Sequence, residues 1–310
     1  MNTKPANEGY ILLKDIPLTD IVPFIHWSFF FMAWRMSGKY EGIETVCSCG
    51  SCKMDWLMKF PVTERAKAEE ALSLYKDAQE MLRHFRENKV ITINAAIGIY
   101  PAYSTGEDIV FNRDNQLITI PMLRQQQPST DGYCYSLADF IKSEGDYAGV
   151  FATTVQGVEA FAESFEKKDD MYNSILVKTL SDRIAEATAE WLHYKVRTKY
   201  WAYAPEEKPD VDAMFKVKYK GIRPAIGYPS LPDQSIIFEL DKLVDFRKTG
   251  ITLTENGAMF PNASVCGLYF AHPLSKYFMI GKIDEAQLED YASRKGKTAE
   301  EIRKWLIANL

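Results

Sequence analysis

No two glycines in the 310-residue chain are separated by a single residue. This excludes the G-x-G-x-x-G turn of dinucleotide-binding folds and the glycine-rich loop of doubly wound methyltransferases. There is no G-x-x-x-x-G-K-[ST] phosphate loop, no H-E-x-x-H metal helix and no G-x-S-x-G nucleophile elbow. An excess of basic residues is missing too: the formal net charge is −5, which argues against a nucleic-acid groove as the main surface. The most apolar early run, IVPFIHWSFFFMAW, is shorter than the ~20 residues that cross a bilayer and contains a proline and a histidine, so it reads as core and not as membrane. The N-terminus lacks a basic segment followed by an apolar run and a small-residue cleavage site, and the expected location is the cytoplasm. Cysteines number five, an odd count with three bunched in CSCGSC, which fits poorly with a secreted disulfide framework.

What is present is a composition of 46% hydrophobic and 25% charged residues, that of a globular chain able to bury a large core. In VTERAKAEEALSLYKDAQEMLRHFREN, Ala71, Tyr75, Ala78, Leu82 and Phe85 recur at helical spacing, which predicts an amphipathic helix. The segments INAAIGIYPAY, EDIVFNR and QLITIPM are short, rich in Ile and Val and separated by turn residues, and predict antiparallel strands joined by hairpins. SLADFIKSE reads as a short helix, DYAGVFATTVQ as a strand, and Gly157 to Glu166 as a helix. The longest helical pattern runs from about Tyr172 to Tyr200, with Leu176, Leu180, Ile184, Ala187 and Trp191 on one stripe and Arg183, Glu186, Glu190 and His193 opposite. A helix near Phe238 to Lys248, strands at VCGLYFAH and YFMIGKI, and two helices capped by Asp284 and Thr298 complete the reading. Strands and helices without strict alternation predict an α+β layout around an antiparallel sheet, and the length leaves one large domain or two close-packed halves open.

The stretch GIRPAIGYPSLPDQS, Gly221 to Ser235, is conformationally stiff. Proline fixes its own φ and pushes the preceding residue out of the helical region, so Arg223-Pro224 and Tyr228-Pro229 are held extended. An arginine on a preorganised segment suits a carboxylate, which its guanidinium fork grips through parallel hydrogen bonds, and Gly227 would let the main chain approach a ligand. The bland alternative is a surface loop whose arginine caps a helix or pairs with a structural acid. A guanidinium in open solvent, or consumed by a buried ion pair, would remove the binding role.

GIRPAIGYPSLPD resembles the Arg-x-x-x-Gly-Tyr region of the activation domain of cobalamin-dependent methionine synthase. HWSFFFMAWRMSGKY, IYPAYSTGEDI, LRQQ with SLADF, DRIAEATAEWLHYKVRTKYWAYAP, and LTENGAMFPNASVCGLYFAHPLSKYF with EDYASRKG resemble successive blocks of that domain in the same order, over nearly the whole chain. The resemblance implies a single α+β domain over residues 1–310, a twisted antiparallel sheet flanked by helices, with a shallow groove for S-adenosylmethionine. It also implies a task, the reductive methylation of oxidised cobalamin presented by a partner chain, with a flavodoxin-like or other one-electron donor. By that resemblance Arg223 binds the methionine carboxylate, Ala225 and Tyr228 shape the site, Glu186 contacts the ligand, and Tyr277 lies near ligand and corrin. On periodicity alone Glu186 is a solvated-face acid and Tyr277 a core aromatic.

The chain has no D-x-H-x-x-G offering an imidazole to cobalt, so it is expected to act in trans on a separate cobalamin-binding methionine synthase chain. Two departures stand out. His26 occupies the place of a family acid, which alters one expected contact to the ligand's amino group. The segment EGIETVCSCGSCKMDWLMKFP, about residues 41–61, is additional sequence, and Cys47, Cys49 and Cys52 in it could supply most ligands of a zinc or iron–sulfur site, with Cys134, Cys266 or His84 as conceivable completions. The alternative reading is a non-catalytic S-adenosylmethionine-binding module, or a redox or metal-binding module, that no longer engages cobalamin.

Overall fold

The computed structural model describes residues 4–47 and 49–310. Six strands form an antiparallel sheet: β1 (Gly9–Leu13), β2 (Thr92–Thr105), β3 (Asp108–Arg113), β4 (Gln116–Pro121), β5 (Asp146–Gln156) and, after the short β6 (Thr252–Leu253) and β7 (Met259–Phe260) ribbon, β8 (Ser264–Tyr269). The order is β4-β3-β2-β5-β8, and β1 shares the β3 side of β2 by pairing with Ala95–Ile99. Period-two alternation along β2 divides the core. Ala95, Ile97 and Ile99 face one cluster, whereas Ala96, Tyr100 and Ala102 face the other.

The first face is covered by the helices Arg65–Asn88 and Met171–Lys195, and the second by Ile237–Val244 and Phe246–Thr249. This is the expected α+β layout with helices flanking an antiparallel sheet. Met171–Lys195 starts where the Asp170 carboxylate accepts the Asn173 amide hydrogen at 3.1 Å, an N-cap. Among the described residues no helix is long and apolar enough to cross a membrane.

Four predicted details change. The side of the long helix carrying Glu190 and His193 is not solvated. Ala185, Ala187, Thr188 and Ala189 are small enough to let neighbours close in, and both polar residues are buried. The helix itself ends at Lys195, and a single wide turn, Val196–Tyr200, follows it. The helix predicted at Phe238–Lys248 breaks at Asp245, where φ is +48° and the Asp241 carboxylate takes the Phe246 amide. YFMIGKI is not a strand: its amides are satisfied irregularly, Phe278 by Ser230 Oγ, Ile280 by Pro229 O and Ile283 by Asn309 O.

Those last bonds join the C-terminal part to the Gly221–Ser235 stretch, which runs beside β8. Ile222 bridges Phe270 and Ala225 bridges Gly267. Pro224 has no amide hydrogen to offer, and its carbonyl instead accepts from Leu268 at 3.0 Å. Gly267 is required opposite it, because a Cβ there would stand 2.2 Å from Pro224 O. Gly227 has a different use from the expected one: its φ of +81° makes the turn in which its amide reaches Leu231 O.

Candidate functional site

A cleft of about 570 Å³ opens between the long helix, the residues around His26, the segment Met214–Tyr219, the Arg223–Ser230 stretch and Tyr277–Met279. Its walls bring together every residue singled out for ligand binding: His26, Glu186, Arg223, Ala225, Tyr228 and Tyr277. They come from four separated parts of the chain. Glu186 and Glu190 lie one helical turn apart and so project to the same side.

Arg223 is paired. Its Nη2 and Nε donate to Glu190 Oε2 at 2.9 and 3.3 Å, with the two side chains 16% and 10% exposed. Burial disfavours the guanidinium charge, but Glu190, with lesser help from Tyr277 and then Glu186, outweighs it and the pKa is raised. The pair takes up one carboxylate oxygen. The other, Glu190 Oε1, is buried with no hydrogen-bond partner. The expectation of an uncommitted guanidinium is therefore corrected: Arg223 stands in a largely buried ion pair, which meets part of the condition that would remove a binding role, and only its N–H groups not taken by Glu190 remain for a ligand. Glu190 was visible in the sequence only as a fellow of Glu186 at i,i+4.

The Arg223 backbone N–H donates to the Tyr277 hydroxyl at 3.0 Å, and the Tyr228 hydroxyl donates to Glu186 Oε1 at 2.7 Å. Burial, then Glu186, pushes the Tyr228 phenol up to about 12. Tyr277 is exposed, which corrects the core alternative for it. His26 sits at the start of the helix Trp27–Ala33 with its ring 4.2 Å from Phe215 and 4.6 Å from Phe29, centroid to centroid. Burial, aided by Arg183, holds its pKa below the ordinary range, so it brings a neutral ring to the cleft. Phe29, Phe215 and Met279 add apolar wall that sequence reading missed.

Behind the cleft, His193 is fully buried, with Nε2 3.2 Å from the Tyr203 hydroxyl, its ring stacked on Tyr269 and Nδ1 without a partner. Burial, followed by Arg197 and Arg223, drives its pKa well below 6.5. The unfolded chain binds a proton near pH 6.5 that the folded chain refuses, so this group's contribution is intact above that pH and lost as pH falls. The expected result is a stability loss of about 1.4 kcal/mol per pH unit below ~6.5 from this residue. Urea denaturation across pH 5–7 checks it, and the slope should diminish in His193→Gln.

The three clustered cysteines lie elsewhere, since none lines the cleft. Their sulfurs are all within 4.8 Å of one another, and among the described residues no His, Asp, Glu or further Cys joins them. The conceivable completions are thus absent. Cys266 is buried in β8, and His84 packs on Phe161.

Two comparisons bear on this architecture. Residues 17–296 match the family described as vitamin B12 dependent methionine synthase, activation domain. A crystal structure of the MetH reactivation domain bound to AdoHcy is 37% identical, with a TM-score of 0.89 over 100% of this chain and 93% of that one.

Proposed function

The chain belongs to the activation-domain family of vitamin B12-dependent methionine synthases, and from that premise we propose that its cleft binds S-adenosylmethionine and supports reductive methylation of cobalamin held by a separate synthase chain. The observation that carries the reading is the Arg223–Glu190 pair with its unused oxygen. An amino-acid end is a zwitterion. Its carboxylate can meet the N–H groups of Arg223 that Glu190 does not use, and its ammonium can meet Glu190 Oε1, so neither buried charge is left bare. A pre-existing ion pair is then compatible with binding where the incoming group carries both signs.

Glu186 supplies a second carboxylate toward the sulfonium or ammonium, positioned by the Tyr228 hydroxyl. The apolar rings of Phe29 and Phe215 exclude water beside the ligand, and His26, packed against both, contributes a hydrogen-bonding but uncharged edge in place of the family's acid. Tyr277 ties the Arg223 backbone to the opposite wall. In the overall reaction one electron from a flavodoxin-like or other donor and the methyl group of S-adenosylmethionine restore the partner's cobalamin, leaving S-adenosylhomocysteine. We read residues 1–310 as one activation-type domain, with the cysteine-containing segment at about 41–61 as an addition, working in trans.

The test is reconstitution with a cobalamin-loaded synthase trapped in the inactive cob(II)alamin state, with S-adenosylmethionine and a reductant. Recovery of methylcobalamin that depends on this chain is expected, read from the absorption spectrum. Tight S-adenosylmethionine binding without recovery would favour the alternative of a non-catalytic binding module, for which the neutral His26 is the motivating observation. Absence of binding would overturn both.

A further inference from the structure

The cysteine cluster has a construction that cleft binding does not use. Cys49 Sγ lies 2.9 Å from Cys47 Sγ, and all three cysteines are unbridged. Cys49 caps the helix Gly50–Leu57, where its sulfur accepts the Cys52 amide hydrogen at 3.3 Å. The loop carrying these sulfurs is anchored on both sides. Ile43 is buried before it, Trp56 and Leu57 after it, and the Trp56 indole donates to Glu41 O at 3.0 Å, closing the segment on itself. Lys53 adds an ion pair to Glu69 on the neighbouring helix.

We propose that Cys47, Cys49 and Cys52 bind a single zinc ion through three thiolates, leaving its fourth position open to solvent or to a donor from outside the chain. The sulfur spacing selects the ligand class. Three sulfurs on one tetrahedral zinc, with Zn–S near 2.3 Å, stand about 3.8 Å apart; the cluster is contained within 4.8 Å, and Cys47 and Cys49, now 2.9 Å apart, would have to separate by about 1 Å to take that spacing. An iron–sulfur cubane attaches each cysteine to a different iron and needs the sulfurs spread more widely. Thiolate softness favours zinc or monovalent copper over magnesium or calcium. Structural zinc sites are normally closed by four protein ligands, and three ligands with an open place are the pattern of an accessible ion. Two of these cysteines are exposed, as that pattern requires. Binding turns the thiols into thiolates and releases their protons to the buffer.

The experiment uses the reduced full-length chain, freed of metal by a chelator and titrated with zinc against a chromophoric competitor. One zinc per chain is expected, and cobalt substituted for it should show intense sulfur-to-metal charge-transfer absorption. Cys47→Ser, Cys49→Ser and Cys52→Ser should each lose at least about 100-fold in zinc affinity, beyond the range of outer-partner changes. A second readout is independent of how the variants fold: zinc should slow alkylation of these three thiols and leave Cys134 unaffected. No stoichiometric zinc, an iron–sulfur chromophore, or equal protection of Cys134 would each overturn the proposal; tighter binding of monovalent copper would not, since thiolate sites generally prefer it.

Discussion

Arg223→Ala is expected to lower stability by about 3–5 kcal/mol, the range for stranding one member of a buried ion pair, and to weaken S-adenosylmethionine binding as well. The first effect follows from Glu190, which is 10% exposed, has one oxygen already without a partner, and would lose its counter-charge. The second follows from the ligand's carboxylate losing a charged donor, about 1.5–3 kcal/mol, or roughly 10- to 150-fold in affinity. The two effects separate in the double variant Arg223→Met with Glu190→Met. Removing both charges should restore most of the stability, because a buried pair replaced by apolar side chains is often neutral, while binding stays lost. Denaturant unfolding and titration calorimetry read the two quantities. Calorimetry showing unchanged affinity in Arg223→Ala would place the ligand elsewhere, and recovery of both stability and binding in the double variant would reduce Arg223 to a structural role.

Lys295→Met is expected to be nearly as costly, about 3–5 kcal/mol, although it lies outside the cleft. Lys295 Nζ meets Asp233 Oδ2 at 3.0 Å, and the two side chains are 5% and 1% exposed. Asp233 also accepts from the Ser235 amide and hydroxyl and from the Tyr291 hydroxyl at 2.7 Å. Methionine matches the length of lysine but leaves the carboxylate with neutral donors only. The cost should fall toward the lower end of the range because three of those remain. Lys295 follows the helix Glu285–Arg294, and Asp233 lies near the end of the Gly221–Ser235 stretch, whose Ser230 bonds Phe278, so losing the bond is expected to loosen the wall formed by Tyr277–Met279. A lower midpoint in urea should therefore be accompanied by weaker ligand binding. A midpoint within experimental error of the parent would mean that the Asp233 network does not depend on the ammonium. Asp233→Asn in the Lys295→Met background should regain part of the loss, since it removes the stranded charge.

Reading the sequence located the strands of the main sheet well where local pattern and environment agree. Alternation along INAAIGIYPAY and the Ile-rich hairpins corresponds to β2, β3 and β4. Of the two capping boxes read, Thr298 with Glu301 forms one, whereas Asp284 caps the Gln287 amide but the Gln287 side chain turns to the Arg124 amide instead. YFMIGKI was misread because its apolar residues belong to a wall held by bonds to Pro229, Ser230 and Asn309, none of which is a neighbour in sequence. Glu190 and His193 were placed opposite the apolar stripe, on the side of Glu186 that was read as solvated, because helical periodicity reports contrast between faces, and a helix enclosed on nearly all sides has little.

By itself the chain determined its family, its alternating and helical segments, the stiffness of Arg223-Pro224 and the bunching of three thiols, because each is encoded in neighbouring residues. Only the tertiary structure decided that Arg223 meets Glu190 across 33 positions, that the His26 ring packs against Phe29 and Phe215, and that no fourth ligand among the described residues reaches the cysteines. The reason is physical: a charge or a thiol is given by the residue, but its partner and its exposure are set by which distant segments the sheet and long helix bring together.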